Sequence, residues 1–395
     1  MSTRRLVLTR SAALVGAAST GLLLPEIARA QSGKVRVGLM LPYTGTFAQL
    51  GVAIENGVRL AIDEKGGKLG GREIEWFKVD DEAEPSKGIE NASKLVQRDK
   101  VDVLIGTVHS GVQMGIQKVV RDSGTLCLIP NAGVHAATRS LCAPNVFRTS
   151  FSNSQPTRAL GQAMIAKGHK KAVWITWKYA AGDEAFEGFK ESYTASGGTI
   201  VKELGLPFPQ VEFQALLTEI AALKPDAVAC FFAGGGAAKF IKDYAAAGLK
   251  GKIPLYGSGF LTEGVLDAAG DAANGIITTM HYGDSLNTPR DNQFRLEYAK
   301  KFRLQPDVYA VQGYDTGLLL AQGMAAVKGD INNKAALYKA MESATIDSPR
   351  GKWTMSKSHN PVQDIYLRVV ENKENKVLGI AAKALADSGA GCKMA

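Results

Sequence analysis

Few side chains in this sequence could do covalent chemistry, and none are spaced to do it together. The five His (His109, His135, His169, His281 and His359) are scattered. The four Cys (Cys127, Cys142, Cys230 and Cys392) form no CxxC pair and have no His at metal-ligand spacing. A bound metal needs three or four such ligands converging, so no metal, and no other cofactor, is expected. No GxSxG elbow, HExxH helix or GxxxxGK[ST] loop occurs; a nucleophile, a zinc site or a phosphate cradle would call for one of these. Ala233-Gly234-Gly235-Gly236 lies between a strand and a helix, where phosphate binds a helix N-terminus. It lacks the Lys and Ser/Thr of a P-loop and reads as a turn lining a cleft. No catalytic residue is expected, which leaves recognition as the chemistry on offer.

The best-placed recognition group is Ser110 beside His109, just past the end of the expected strand Val101 to Ile105. Ligand loops of α/β folds sit at such strand ends. Ser110 equally fits a helix N-cap. A second loop, Asn131-Ala132-Gly133, follows the apolar run Leu126 to Ile129.

The elements that would position these loops alternate. Val35 to Met40, Glu73 to Val79, Val101 to Gly106 and Leu126 to Pro130 read as strands. Helical spacing runs through Leu50 to Ile62, Ile89 to Val96 and Met114 to Val120. After a connector from Phe147 to Pro156 the pattern restarts. Strands are expected at Ala172 to Ile175, Thr199 to Val201, Ala227 to Phe232 and Pro254 to Tyr256. Helices are expected at Ala185 to Tyr193, Phe213 to Leu223 and Ala237 to Ala247. Arg290 to Phe302 and Tyr314 to Val327 read as further helices, and Lys352 to Met355 with Asp364 to Val370 as paired strands. Strand–helix alternation implies parallel sheets covered by helices, and two successive units imply two such lobes facing a shared cleft.

The N-terminus reads as an export signal. Arg4, Arg5 and Arg10 precede an uncharged stretch from Ser11 to Leu24, and Ala28-Arg29-Ala30 is a small-x-small cleavage site. The apolar stretch is short beside the roughly 20 residues of a membrane span. Thr3-Arg4-Arg5-Leu6-Val7-Leu8 resembles a twin-arginine signal, with Val7 where Phe is usual and Thr9 where Lys is usual. The mature chain is then expected to start at about Gln31 and to work in the periplasm. Residues 1–30 hold four Arg and one Glu, so the net charge of +9 falls to +6 on their removal. It is spread thinly, without the basic block that nucleic acid would need. Export permits disulfides. Cys127 and Cys142 are the only near pair, and both a bridge and free thiols are open there; Cys230 in its apolar strand reads as a buried thiol.

Several segments, in order, carry a resemblance. They are Val37-Gly38-Leu39-Met40-Leu41-Pro42-Tyr43-Thr44-Gly45, then Gly51 and Ala61-Ile62-Asp63-Glu64-Lys65-Gly66-Gly67. Leu69-Gly70-Gly71-Arg72, Asp80-Asp81 with Pro85, Gly106-Thr107-Val108-His109-Ser110 and Tyr314-Asp315 follow. The chain from Val35 to about Val370 is similar to periplasmic solute-binding proteins of the Leu/Ile/Val-binding type, the receptors of ABC importers. The resemblance implies a type I periplasmic binding protein: two doubly wound parallel-sheet lobes joined by a multi-strand hinge. Residues 34–148 with about 284–350 would form one lobe, and 149–283 with about 351–385 the other. It further implies no enzymatic activity, a monomer, an inner-membrane ABC permease as partner, and a ligand carboxylate held by Ser110 and backbone N–H groups of Asn131, Ala132 and Gly133. His109, Tyr43, Tyr179, Ala181, Phe232, Phe260 and Tyr282 complete the expected ligand-binding set.

Departures from the amino-acid-binding pattern point to the cargo. Gly133 stands where those members carry Thr, and Ala181 where they carry Tyr. The loop Tyr256-Gly257-Ser258-Gly259-Phe260 lacks the acid that pairs with a ligand ammonium. A buried ammonium without a carboxylate partner is strongly disfavoured. Trp177, Tyr179, Phe232, Phe260 and Tyr282 suit an aromatic, aryl-keto or short-chain organic acid instead. The alternatives are a receptor for branched-chain or other amino acids, or a ligand sensor for a membrane signalling partner.

Overall fold

Short runs of Val, Leu and Ile, long enough for a strand and buried on both faces, build the first sheet. The computed structural model describes residues 33–395; the export signal expected over residues 1–30 and its cleavage site lie outside the described residues. Among the described residues, β1 (Val35–Leu41), β2 (Ile74–Asp80), β3 (Val103–Ile105), β4 (Leu126–Ile129) and β5 (Val146–Arg148) form a parallel sheet in the order β2-β1-β3-β4-β5. Helices α1 (Ala48–Asp63), α2 (Pro85–Ser93), α3 (Ser110–Ser123) and the short α4 (His135–Thr138) connect them. Only β2, at the edge, is half-buried. β5 overlaps the start of the segment expected as a connector, Phe147 to Pro156. It carries a fully buried Arg148, tolerated because its Nη1 donates to Asn360 Oδ1 at 2.8 Å and its Nη2 to the Val134 carbonyl.

The second sheet repeats the design. α5 (Ser154–Ala166) leads into β6 (Lys171–Lys178), α6 (Ala180–Ala195), β7 (Thr199–Pro207), α7 (Gln214–Leu223) and β8 (Ala227–Phe231). α8 (Gly234–Ala246), β9 (Leu255–Ser258), α9 (Leu266–Ala269) and β10 (Ile277–Met280) follow. β6 to β10 are parallel. The chain then returns to the first unit through α10 (Pro289–Phe302), α11 (Val308–Ala326) and α12 (Lys334–Glu342). α11 lies along α1 with the backbones almost touching. A Cβ on Gly57 would stand 2.1 Å from the Ala310 carbonyl oxygen, and one on Gly313 2.0 Å from that of Ile54, so only glycine fits at either position. The chain finally re-enters the second sheet as β11 (Thr345–Ile346), β12 (Trp353–Met355), β13 (Pro361–Glu371) and β14 (Glu374–Leu385), all antiparallel.

The backbone thus passes between the sheets three times: after β5, after β10 and after α12. Arg350, buried in the third crossing, fastens the first. It donates to the carbonyls of Thr149 at 2.7 Å and Ser150 at 3.1 Å, and its Nε pairs with Asp315 Oδ2 of α11 at 2.8 Å. The C-terminal tail adds a covalent tie. Beyond β14, Asp387 pairs with Arg139 at 2.8 Å, and Cys392 is bonded to Cys142, 250 residues earlier. This corrects the Cys127–Cys142 candidate. Cys127 lies inside β4, fully buried among apolar side chains, and like Cys230 in β8 it is a free thiol. Cys142 sits in the α4–β5 loop that the tail crosses.

Candidate functional site

The C-terminal ends of the parallel strands from both sheets converge on one internal cavity. The first unit supplies Phe47 and Leu50 at the start of α1, Val108 and Ser110 after β3, and Asn131 and Gly133 after β4. The first crossing supplies Phe151 and Asn153. The second unit supplies Tyr179 and Ala181 after β6, Phe231 and Ala233 around the end of β8, and Phe260 after β9; Tyr309 enters from the first turn of α11. The space between these walls is narrow, about 20 Å³ measured to the centre of a water-sized sphere. Roughly 10–15 Å³ on that measure holds one water. A wider open groove of about 1120 Å³ runs past Glu64, Lys65 and Lys68 at the far end of α1, some 24 Å along that helix from the cavity at ~1.5 Å per residue.

The cavity has an aromatic body and a polar end. Phe151 and Phe260 rings lie 4.7 Å apart, Phe260 lies 6.1 Å from Phe231 and 6.0 Å from Tyr309, and Phe231 lies 6.2 Å from Tyr179. The polar end is Ser110, Asn131, Gly133 and Asn153. No acidic or basic side chain is among the lining residues. Ser110 is 2 % exposed and opens α3, whose first N–H groups carry the partial positive charge of a helix N-terminus. The cap itself comes from His109, whose Nδ1 accepts from the Val112 N–H at 3.4 Å, so the Ser110 hydroxyl is not spent on capping. Asn131 Nδ2 donates to Gln312 Oε1 at 2.7 Å, and Gln312 Nε2 lies 3.2 Å from His281 Nε2. The buried Tyr309 hydroxyl has no partner among the described residues, and burial holds it protonated, raising its pKa well above the usual phenol range.

Six of the eleven sequence-derived candidates stand on this cavity: Ser110, Asn131, Gly133, Tyr179, Ala181 and Phe260. Five do not. His109 lies behind the wall, its ring stacked on Tyr179 at 4.8 Å and 7°; burial lowers its pKa to about 4 and keeps it neutral. Ala132 is buried with its N–H donated to Thr107 O at 3.0 Å. Tyr43 is half-buried against the core of the first unit, away from the cavity lining, with the Lys78 ammonium 3.9 Å from its ring centroid. Phe232 points into the core against Phe213 and Phe240, and Trp177 packs on it. Tyr282 is fully buried and donates its hydroxyl to Asp291 Oδ1 at 2.9 Å. Phe47, Leu50, Asn153, Phe231 and Tyr309 were not among the sequence candidates; Val108 and Ala233 lie in loops the sequence marked, and Phe151 ends the segment Phe147 to Phe151, which resembles that of aromatic-acid-binding members. For Phe231 the signal existed: adjacent strand residues face opposite ways, and the choice fell one residue late.

Two parallel α/β sheets whose strand ends share an internal cavity define a two-lobed ligand-binding protein. The chain belongs to the periplasmic binding protein family, whose sequence model matches residues 34–375. It is 29 % identical over 351 residues to Leu/Ile/Val-binding protein homolog 6 of Brucella abortus (strain 2308), covering 86 % of this chain and 88 % of that protein. Among solved structures it is similar to an ABC-transporter solute-binding protein from R. palustris in complex with benzoate. That match has 53 % identity and a TM-score of 0.89, over 91 % of this chain and all of that one, a coverage of 100 %. A second is a solute-binding protein of an ABC transporter from Rhodopseudomonas palustris BisB5 in complex with 3,4-dihydroxybenzoic acid. It is 30 % identical with a TM-score of 0.85, over 90 % and 99 % of the two chains. No helix among the described residues is long and apolar enough to cross a membrane.

Proposed function

We propose that this protein is an exported receptor that binds a small aromatic carboxylate, benzoate or a hydroxybenzoate, and delivers it to an inner-membrane ABC permease. The observation that carries the reading is the cavity: rings of Phe151, Tyr179, Phe231 and Phe260 around a slot whose polar end holds neutral donors and whose lining has no acid. Flat apolar walls favour an aryl ring. The Ser110 hydroxyl and the α3 N-terminus favour an anion, because oriented donors neutralise it without a buried counter-charge. An α-amino acid would bring an ammonium that no lining side chain can pair, at a cost of several kcal/mol. The ligands of the two solved relatives support the same class.

In this reading residues 34–148 with about 284–350 and residues 149–283 with about 351–385 move as two lobes about the three crossings, and the ligand holds them shut. Residues 1–30 act as a twin-arginine-like export signal removed after Ala30, and the mature chain works in the periplasm as a monomer without catalysis. Calorimetric titration of the mature chain with benzoate, 4-hydroxybenzoate and leucine tests the assignment. Saturable heats with the aromatic acids are expected, and binding of leucine alone would overturn it.

A further inference from the structure

Ser110 can serve a carboxylate only if its hydroxyl hydrogen points into the cavity. A serine hydroxyl has one donor hydrogen and rotates to suit its neighbours, so something must fix its sense. The candidate is Asn153, in the first crossing. Its Nδ2 lies 3.3 Å from Ser110 Oγ and donates at 2.7 Å to Glu184 Oε2 on α6. Glu184 in turn accepts the His135 backbone N–H at 2.9 Å and 3.1 Å. An ionised carboxylate only accepts, so Glu184 admits only the NH₂ side of the Asn153 amide. That leaves Asn153 with a second N–H for Ser110 Oγ, and a Ser110 that accepts from Asn153 has its own hydrogen free for the cavity.

The relay also explains Gly133. A Cβ there would stand 2.3 Å from Asn153 Oδ1 and 2.7 Å from Phe151 Cε2. The amide occupies the space that a side chain at 133 would take. The relay spans the cleft as well. Ser110, Gly133 and His135 belong to the first unit, Glu184 to the second, and Asn153 to the segment between them.

We infer that Asn153 and Glu184 are positioning residues for the ligand carboxylate: Glu184 fixes the amide of Asn153, and Asn153 fixes the Ser110 hydroxyl as a donor, once α6 has closed over the His135 loop. This rests on the carboxylate reading above. It gives an acidic residue beside an anion site a favourable role, which simple charge repulsion would not.

Glu184→Gln separates the two. Burial raises the Glu184 carboxyl to about 7, so the comparison is made at pH 8.5, where it is ionised. Charge repulsion alone predicts that Gln, nearly isosteric and neutral, tightens benzoate binding. The relay predicts loosening by about 3- to 10-fold, because a Gln amide can pair with either side of Asn153 and no longer fixes it. Ser110→Ala alone is expected to weaken benzoate roughly 10- to 100-fold, the range for a hydrogen bond to a charged group. In that background Glu184→Gln should change affinity by less than about 2-fold, since residues acting through one group do not add. Melting temperatures of all variants check that each is folded. Tighter or unchanged binding by Glu184→Gln, or equal effects with and without Ser110, overturns the relay and leaves the carboxylate site standing. A Ser110→Ala protein that binds benzoate undiminished overturns both.

Discussion

The bond between Cys142 and Cys392 should be worth more to this fold than any single packing contact. It closes a loop of 250 residues that contains the whole second sheet and all three crossings. Treated as loop-closure entropy removed from the unfolded chain, a loop of that length contributes about 5.5 kcal/mol at 25 °C, and native disulfides typically deliver ~2–5 kcal/mol. Unfolding entropy is roughly 2.1 cal/mol/K per residue, or about 0.8 kcal/mol/K for a chain of this size. Loss of ~2–5 kcal/mol then lowers the melting temperature by about 3–6 °C. Cys392→Ser, measured by differential scanning calorimetry, should show that shift. Thiol titration of the unreduced, denatured wild-type protein should find the two free cysteines, Cys127 and Cys230. A melting temperature within about 1 °C of wild type, or a tryptic peptide linking Cys127 to Cys142, would refute the reasoning.

Two other perturbations read the site and its electrostatics. Gly133→Thr places a Cβ 2.3 Å from Asn153 Oδ1; overpacking of this kind costs about 1–3 kcal/mol, so thermal stability and benzoate affinity should both fall, and an unchanged melting curve would count against the geometry. Burial raises the carboxyls of Asp81, Glu184 and Asp307 to about 7, above an unfolded value near 4. Such groups stabilise the fold fully below about pH 4, and that contribution is lost as pH rises through 7. Burial holds His109 and His135 neutral and lowers their pKa values, which opposes this trend up to about pH 6.5. Melting temperatures should therefore fall between about pH 6.5 and pH 8, and Glu184→Gln should flatten the curve; a profile that rises over this range contradicts the assignment.

Much of the scaffold was legible because apolar runs of strand length recur with turn signals between them. β1, β3, β4, β6 and β8 are such runs, and their strand–helix alternation identifies parallel sheets. β5 was not legible, since three residues ending in a charged Arg148 look like a connector. Only the distant Asn360 and Val134 groups make burial of that charge tolerable. β14 was missed for another reason. Its Gly, Ala and Lys residues have little strand character of their own, and pairing with β13 decides it. In the site, Ser110, Asn131 and Gly133 could be found because they follow recognisable strands. Asn153 could not, because its role exists only when Glu184 of a later helix folds over it. Phe231 and Phe232 show how little separates success from error: one residue of register exchanges cavity for core.

The central claim is that the cavity selects a small aromatic carboxylate over an α-amino acid. Isothermal titration of the ligand-stripped mature chain at pH 7.5 with benzoate and, separately, leucine tests it most directly. Benzoate should bind at one site per chain and at least about 100-fold more tightly than leucine, a difference of ~2.7 kcal/mol that an unpaired buried ammonium readily exceeds. Leucine binding as tight as benzoate, or tighter, would contradict the account.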